Sequence, residues 1–345
     1  MSSLQPVESP ISGGAEQKRA RMKRPVFVLG SPRSGTTLLY HMLLSAGGFA
    51  IYRSESKVFD LLAPRFGDLH RAKNKQKLLD SWYQTRMFGV SGVNPEEFRA
   101  KILSECGNAG DFLRIFMEEI ALAQDVDRWA ECTPEHLQYL PWIKRELPDA
   151  LFVHIIRDGR DVALSLQKQG WVQPFPWDRG KSLMVAGLFW EWIVGKGREF
   201  GRTLGTDYME VRYEDLFSDG RTTLAKLGRF IDHDLDYDRI QQTAIGSVSE
   251  PNTSFTAEYQ EGVFHPIGRW RNSFSYEELA AFESLVGSFL KELDYPLAAG
   301  RNRVGEVAAF KRMRILYRLF WNSKLFTKVH TPLGRFVMRT APSEL

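Results

Sequence analysis

The stretch Val26-Phe27-Val28-Leu29-Gly30-Ser31-Pro32-Arg33-Ser34-Gly35-Thr36-Thr37 decides the fold. It begins as a short apolar run of the kind found in buried parallel strands. A glycine-bounded loop follows, then Leu38-Leu39-Tyr40-His41-Met42-Leu43-Leu44, the pattern of a buried helix. Strand, loop and helix in this order are the setting of the phosphate loop G-x-x-x-x-G-K-[ST]. Gly30 to Thr37 fit that pattern except that Thr36 stands at the lysine position. Backbone N–H groups at the helix start, the helix dipole and the hydroxyls of Ser34, Thr36 and Thr37 make an anion cradle. With no lysine, and no aspartate closing a later strand to hold Mg²⁺, cleavage between β- and γ-phosphates is not expected. The loop is therefore read as holding a different anhydride, with no metal.

A second anion site follows from Leu151-Phe152-Val153-His154-Ile155-Ile156, another buried strand pattern, which ends on Arg157 where a triphosphatase would place its magnesium aspartate. Asp158 can cap a helix running through Val162, Ala163, Leu164 and Leu166, with Ser165 two turns along on the face of Asp158 and Asp161. A strand-end guanidinium with a hydroxyl on the next helix suits a dianionic phosphate. Two anion sites on neighbouring strands imply a nucleotide with two separated phosphates.

The fold expected is α/β: a phosphate-loop nucleotide-binding fold, its central parallel sheet flanked by helices on both faces and interrupted by a helical insertion. Further strands are expected at Phe49 to Tyr52, Trp129 to Glu131 and Tyr208 to Tyr213, and a helix at about 181 to 200. The insertion, residues 56 to 125, carries helical spacing at Phe112, Ile115, Phe116, Glu119 and Ile120. A chain of 345 residues with 43% hydrophobic content can bury a sizeable core. The reading is a mobile tail at 1–24, one catalytic domain at 25–300 and a basic amphipathic extension at 301–345. Cys106 and Cys132 alone imply no disulfide framework and a reducing, cytoplasmic setting. No apolar run reaches the ~18 residues of a membrane span, and the N-terminus lacks an apolar signal core.

The extension differs from the rest in charge. Ten Lys and Arg stand against Glu306 and Glu344, a balance of +8, so the remainder carries −4 of the whole-chain +4. Phe310, Met313, Leu316, Tyr317, Phe320 and Trp321 repeat at helical spacing. This is the pattern of a helix at an anionic membrane surface, or of one docked on the domain with its basic side solvated. Nucleic acid is not expected, since no binding module accompanies the charge.

Four segments in order resemble the motifs of the PAPS-dependent sulfotransferases (PAPS is 3′-phosphoadenosine 5′-phosphosulfate). They are Ser31-Pro32-Arg33-Ser34-Gly35-Thr36-Thr37, Ile156-Arg157-Asp158-Gly159-Arg160-Asp161 running to Ser165, Arg212-Tyr213-Glu214-Asp215-Leu216, and Gly268-Arg269-Trp270-Arg271-Asn272. The form P-R-S-G-T-T is nearest the bacterial and protein-tyrosine members. The resemblance implies that the first loop grips the 5′-phosphosulfate, Arg157 and Ser165 grip the 3′-phosphate, Tyr213 lies by the adenine, and Gly268 to Arg271 close over the cofactor, with PAP as product. The acceptor is a hydroxyl on a small molecule, sugar, lipid or tyrosine; a homodimer is compatible with the reading. A PAPS- or PAP-binding scaffold with little catalysis is the alternative.

Sulfuryl transfer to oxygen needs a base, positive charge for the leaving oxygen and in-line geometry. By resemblance Arg33 supplies the charge and Glu55 the base, with His136 as rival base. Relatives of these branches carry lysine where this chain has Cys132, and the cytosolic branch has an adenine-stacking tryptophan where this chain has Leu38. A neutral thiol cannot replace an ammonium. Six rings crowd between Trp171 and Trp192; Phe189, Trp190 and Ile193 have core spacing, whereas Trp171 to Trp177 suit an acceptor pocket or lid.

Overall fold

The computed structural model describes residues 22–243, 266–299, 307–331 and 333. Strands β1 (Val26–Gly30), β2 (Ala130–Glu131), β3 (Leu151–Ile156) and β4 (Tyr208–Arg212) form one parallel sheet in the order β2-β1-β3-β4. Gly30 lies opposite Ile155, and Ile156 opposite Arg212. The glycine loop, Arg157 and Tyr213 therefore all leave the sheet at its carboxyl edge, where ligands of open α/β sheets bind.

Both faces of the sheet are covered, which is why the strands read as continuous apolar runs. Alternate side chains feed two cores. Val26, Val28, Val153 and Ile155 pack with α1 (Thr36–Ser45), among others. Phe27, Leu29, Phe152 and Ile156 pack into a larger core that takes in the insertion helices α2 (Ala72–Trp82), α3 (Pro95–Glu105) and α4 (Ala109–Ala123). The same core includes α5 (Gly159–Gln169) and α6 (Ser182–Gly201), while α7 (Gly220–Ile231) covers the α1 face. Trp82, Trp129 and Trp190 are each fully buried there, and a large side chain so placed contributes about 1.5–3 kcal/mol over its exposed state. The expected helix at about 181 to 200 is α6, and Asp158 caps α5 by accepting from the Arg160 N–H.

One expected strand does not form. At Phe49 to Tyr52 the Ala50 N–H donates to the Arg128 carbonyl at 2.8 Å. The side chain of Gln124 then takes both backbone groups of Ile51, at 2.7 and 3.0 Å, in place of a neighbouring strand. Of the 1–24 tail, residues 1–21 lie outside the described residues, but Lys23 N–H donates to Asp127 O and Arg24 Nε to Asp149 O, each at 2.8 Å, so its end is fastened to the domain.

Helix α8 (Tyr276–Glu292) starts with a capping box between Ser275 and Glu278 and packs on α6. Helix α9 (Val307–His330) lies across α6 and α8. The apolar spacing that suggested a bilayer-facing side is divided: Met313, Tyr317 and Trp321 are buried against the domain, while Leu316 and Phe320 are exposed. Trp192 Nε1–H donates to Asn322 Oδ1 at 2.9 Å, and Arg314 pairs with Glu191 at 3.3 Å, fixing the docked face. Among the described residues no helix is long and apolar enough to cross a membrane.

Candidate active site

Glycine sets the shape of the loop. Gly35 has φ +92°, and a Cβ there would lie 2.3 Å from the Tyr213 ring; only glycine lets the turn into α1 close against that ring. Arg33 also takes a left-handed backbone, φ +73°, while Ser34 N–H donates to Ser31 O at 3.0 Å. Pro32 and Thr36 are buried, and Thr37 is exposed at the second position of α1. No side chain caps α1, so its first N–H groups keep their capacity for an anion. The Ser34 hydroxyl is buried without a partner.

Three arginines converge on this loop. Arg157 donates from Nη1 to the Arg33 carbonyl at 3.1 Å and from Nη2 to the Pro266 carbonyl, and its guanidinium lies 4.4 Å over the Tyr213 ring. Its Nε is buried without a partner. Arg33 Nε donates to Ser165 Oγ at 2.8 Å, so the α5 hydroxyl meets the loop arginine directly. Burial first, and the positive charges of Arg157 and Arg269 next, depress the Arg33 pKa. Arg33, Ser165, Lys168, Arg269 and Ser273 line a cavity of 250 Å³.

Asp161 fastens the upper wall. Its carboxylate accepts from Gly268 N–H at 2.7 Å and Trp270 N–H at 3.0 Å, setting the segment that carries Arg269 over the loop. Gly268 has φ +74°, and Trp270 is buried 3.8 Å beneath the Arg160 guanidinium. Tyr213, only 4% exposed, supports Gly35 and Arg157 from behind. Beside the loop stands Trp171, whose ring lies 5.5 Å from the Arg33 guanidinium. Phe175 of the 171–177 loop stacks on Tyr317 of α9 at 4.6 Å, and its N–H donates to the Tyr317 hydroxyl at 2.8 Å.

A second cluster surrounds Glu55. Its half-exposed carboxylate is paired with Lys57, which also reaches Glu135 at 2.9 Å. Burial raises the Glu55 pKa, and the Lys57 ammonium only partly opposes the rise. Beneath them Glu131 is a buried hub. It accepts from Ser56 Oγ at 2.7 Å, from the Thr133 hydroxyl, and from the Thr133 N–H at 3.2 Å; Ser56 N–H in turn donates to Thr133 Oγ1 at 3.1 Å. These bonds hold the 55–57 turn against the 131–136 segment. His136 is fully buried between Glu131, 3.1 Å from Nδ1, and Asp60, 3.5 Å from Nε2. Burial opposes its charging, but the two carboxylates prevail and raise its pKa to about 9. Its Nε2 also accepts from the Phe59 N–H at 3.2 Å, and the ring is sealed from any acceptor.

Cys132 is buried close to Thr36. Burial, then Glu131 and Glu55, push its pKa well above the ordinary range. The thiol is neutral, but the Lys57 ammonium acts on it as well. From the far end of α9, Lys328 reaches the same cluster: burial lowers its pKa while Asp60 and Glu135 oppose the fall. Glu131 adjoins Cys132 in a stretch already marked by its chemistry, and its place at a strand end was the available signal. Nothing local marks Lys57, Asp60 or Lys328. A second cavity, 380 Å³ between α6, α8 and α9, is lined by Arg198, Glu292, Arg314 and Glu191. Those charges pair with each other, Arg198 with Glu292 at 2.7 Å and Arg314 with Glu191 at 3.3 Å, and no loop residue reaches it.

Residues 25–237 match the model of a sulfotransferase family. The chain is similar to the sulfotransferase domain of the Synechococcus PCC 7002 olefin synthase, at 18% identity over 74% of this chain and 89% of that one, with a TM-score of 0.50. It is also similar to the sulfotransferase domain from the curacin biosynthetic pathway, at 14% identity over 81% of this chain and 100% of that one, with a TM-score of 0.52. Both likenesses are of fold. No curated protein sequence matches the chain.

Proposed function

Since the chain belongs to the sulfotransferase family, we propose that it moves the sulfuryl group of PAPS to the hydroxyl of an acceptor. The observation that carries this reading is the convergence of Arg33, Arg157 and Arg269 at the open N-terminus of α1. Two buried polar atoms there, Ser34 Oγ and Arg157 Nε, lack partners among the described residues. Leaving such groups unpaired costs about 1–3 kcal/mol each, a cost that phosphate oxygens would remove.

Bound PAPS supplies an activated sulfuryl group: a new S–O bond forms to the acceptor oxygen, the bond to the bridging phosphate oxygen breaks, and the products are a sulfate ester and PAP. Arg33 and Arg269 offset the charge left on the phosphate, and Arg157 with Ser165 holds the second phosphate. The acceptor proton goes to Glu55. A carboxylate whose pKa is raised by burial is a better base than an ordinary glutamate, and Glu55 is half-exposed, whereas His136 is fully buried with both ring nitrogens engaged. Lys57, paired with Glu55, tunes the base, and Arg33 with Arg269 carries the leaving charge that the neutral Cys132 thiol cannot.

Incubation with sulfur-labelled PAPS and a panel of phenols, sugars, lipids and tyrosine peptides tests the reading. Labelled product that disappears with Arg33→Ala supports it. PAP binding with no transfer to any acceptor would instead make the chain a PAP-binding scaffold.

A further inference from the structure

The docked face of α9 leaves a second apolar stripe directed away from the domain. Ile315, Leu319 and Phe326 fall within ~40° of one another around the helix, opposite the buried Met313, Tyr317 and Trp321. They are 58%, 59% and 61% exposed. The stripe continues sideways: Phe320 meets Phe175 at 5.1 Å, and Phe175 stacks at 4.9 Å on Trp177, which is 70% exposed. A run of large apolar side chains on two adjoining elements is more than the scattered apolar residues of an ordinary surface.

Charge selects the occupant. Residues 307–331 carry Lys311, Arg312, Arg314, Arg318, Lys324 and Lys328 and no Asp or Glu. Lys311 and Arg312 stand one turn before Ile315, and Arg318 stands beside Leu319; all three are exposed. A second copy of the chain would set this basic stripe against itself. An anionic bilayer accepts both features, apolar side chains entering the headgroup boundary and cations meeting lipid phosphates and carboxylates. We propose that the outer face of α9, with the Trp177 loop, is a docking surface for anionic lipid bilayers.

This face is not the one suggested by sequence spacing, whose Met313, Tyr317 and Trp321 are spent on docking to the domain. The same helix brings Tyr317 to the 171–177 loop, whose Trp171 stands 5.5 Å from the Arg33 guanidinium, so a docked bilayer would lie beside the candidate site.

Sedimentation of the full chain with phosphatidylcholine vesicles, with and without phosphatidylserine, provides the test. Binding is expected only with phosphatidylserine, falling as added salt screens attractions beyond ~10 Å. Joint replacement Ile315→Ser, Leu319→Ser and Phe326→Ser should lower partitioning at least ~tenfold, and so should Lys311→Glu with Arg312→Glu. Both variants should keep the parent melting temperature, since the replaced side chains face away from the domain. Equal binding to both vesicles, or none by the parent chain, would overturn the proposal. So would a parent dimer, seen by analytical ultracentrifugation, that the serine variant dissociates.

Discussion

The two halves of the candidate site are built in opposite ways. The donor half is written in short motifs at strand ends: Gly30 to Thr37 follow β1, and Arg157 and Ser165 follow β3, its neighbour in the sheet. The half around Glu55 is assembled from distant segments, with the 55–57 turn tied to 131–136 by a buried carboxylate and Lys328 arriving from the last helix. Cations crowd the first half with mutual repulsion, whereas cations and carboxylates interleave in the second. A site that binds a fixed anion can be written in a short motif. One that must position a base against a variable acceptor draws on the whole fold.

The sharpest way to break this contrast is to remove the hub of the distributed half. Glu131→Gln should cost about 3–5 kcal/mol in denaturant unfolding, because it removes the buried carboxylate that holds His136 and unties the 55–57 turn. The pH dependence has a definite sign. His136 has its pKa raised to about 9 from 6.5, so its contribution is full below pH 6.5 and is lost as pH rises through about 9. The variant should keep only the weaker part of that dependence that Asp60 supports. Parent-like stability would mean that the distributed half is held by packing rather than by its carboxylate.

Next in size are the chemical substitutions. Arg33→Ala and Glu55→Gln should each lower turnover by at least ~100-fold, with PAP affinity falling for the arginine and nearly unchanged for the glutamate. Calorimetry beside steady-state kinetics separates the two. A Glu55→Gln enzyme that stays active while His136→Ala is dead would pass the base role to His136. Within the donor half, PAP should bind far better than AMP, and Arg157→Ala should erase the difference, about 1.5–3 kcal/mol for each charge-assisted bond lost. Equal affinities of the parent chain for PAP and AMP would refute a two-phosphate site.

How much of this was legible follows from the same contrast. The parallel sheet and the cap at Asp158 come from apolar runs and turn chemistry read within short segments, whereas the bond from Arg33 to Ser165 depends on β1 and β3 being neighbours in the sheet. Phe49 to Tyr52 misled because a β-rich tetrapeptide forms a strand only where a partner strand offers its backbone, and here the Gln124 side chain does so instead. Glu131 is an ordinary-looking residue whose role depends on Ser56, 75 positions away. Helix α9 read as amphipathic, but spacing could not say that it has two apolar faces, one docked and one open, because the docking partners lie on α6 and in the 171–177 loop.

The smallest effect expected is the most specific. Lys57 is the principal charge opposing the rise that burial imposes on Glu55, and a base works only when deprotonated. Replacing Lys57→Met therefore raises the Glu55 pKa further, and the acid limb of the kcat/KM profile should move to higher pH. Well above that limb turnover should fall less than ~tenfold, provided Arg33 and Arg269 carry most of the leaving charge. Lys328→Met makes the comparison sharp: Lys328 interacts with Asp60 and Glu135, not chiefly with Glu55, so its limb should move less. A Lys57→Met profile that keeps its acid limb in place would remove Glu55 as the titrating base. Loss of the high-pH plateau by far more than tenfold would instead give Lys57 the charge-stabilising role left open by Cys132.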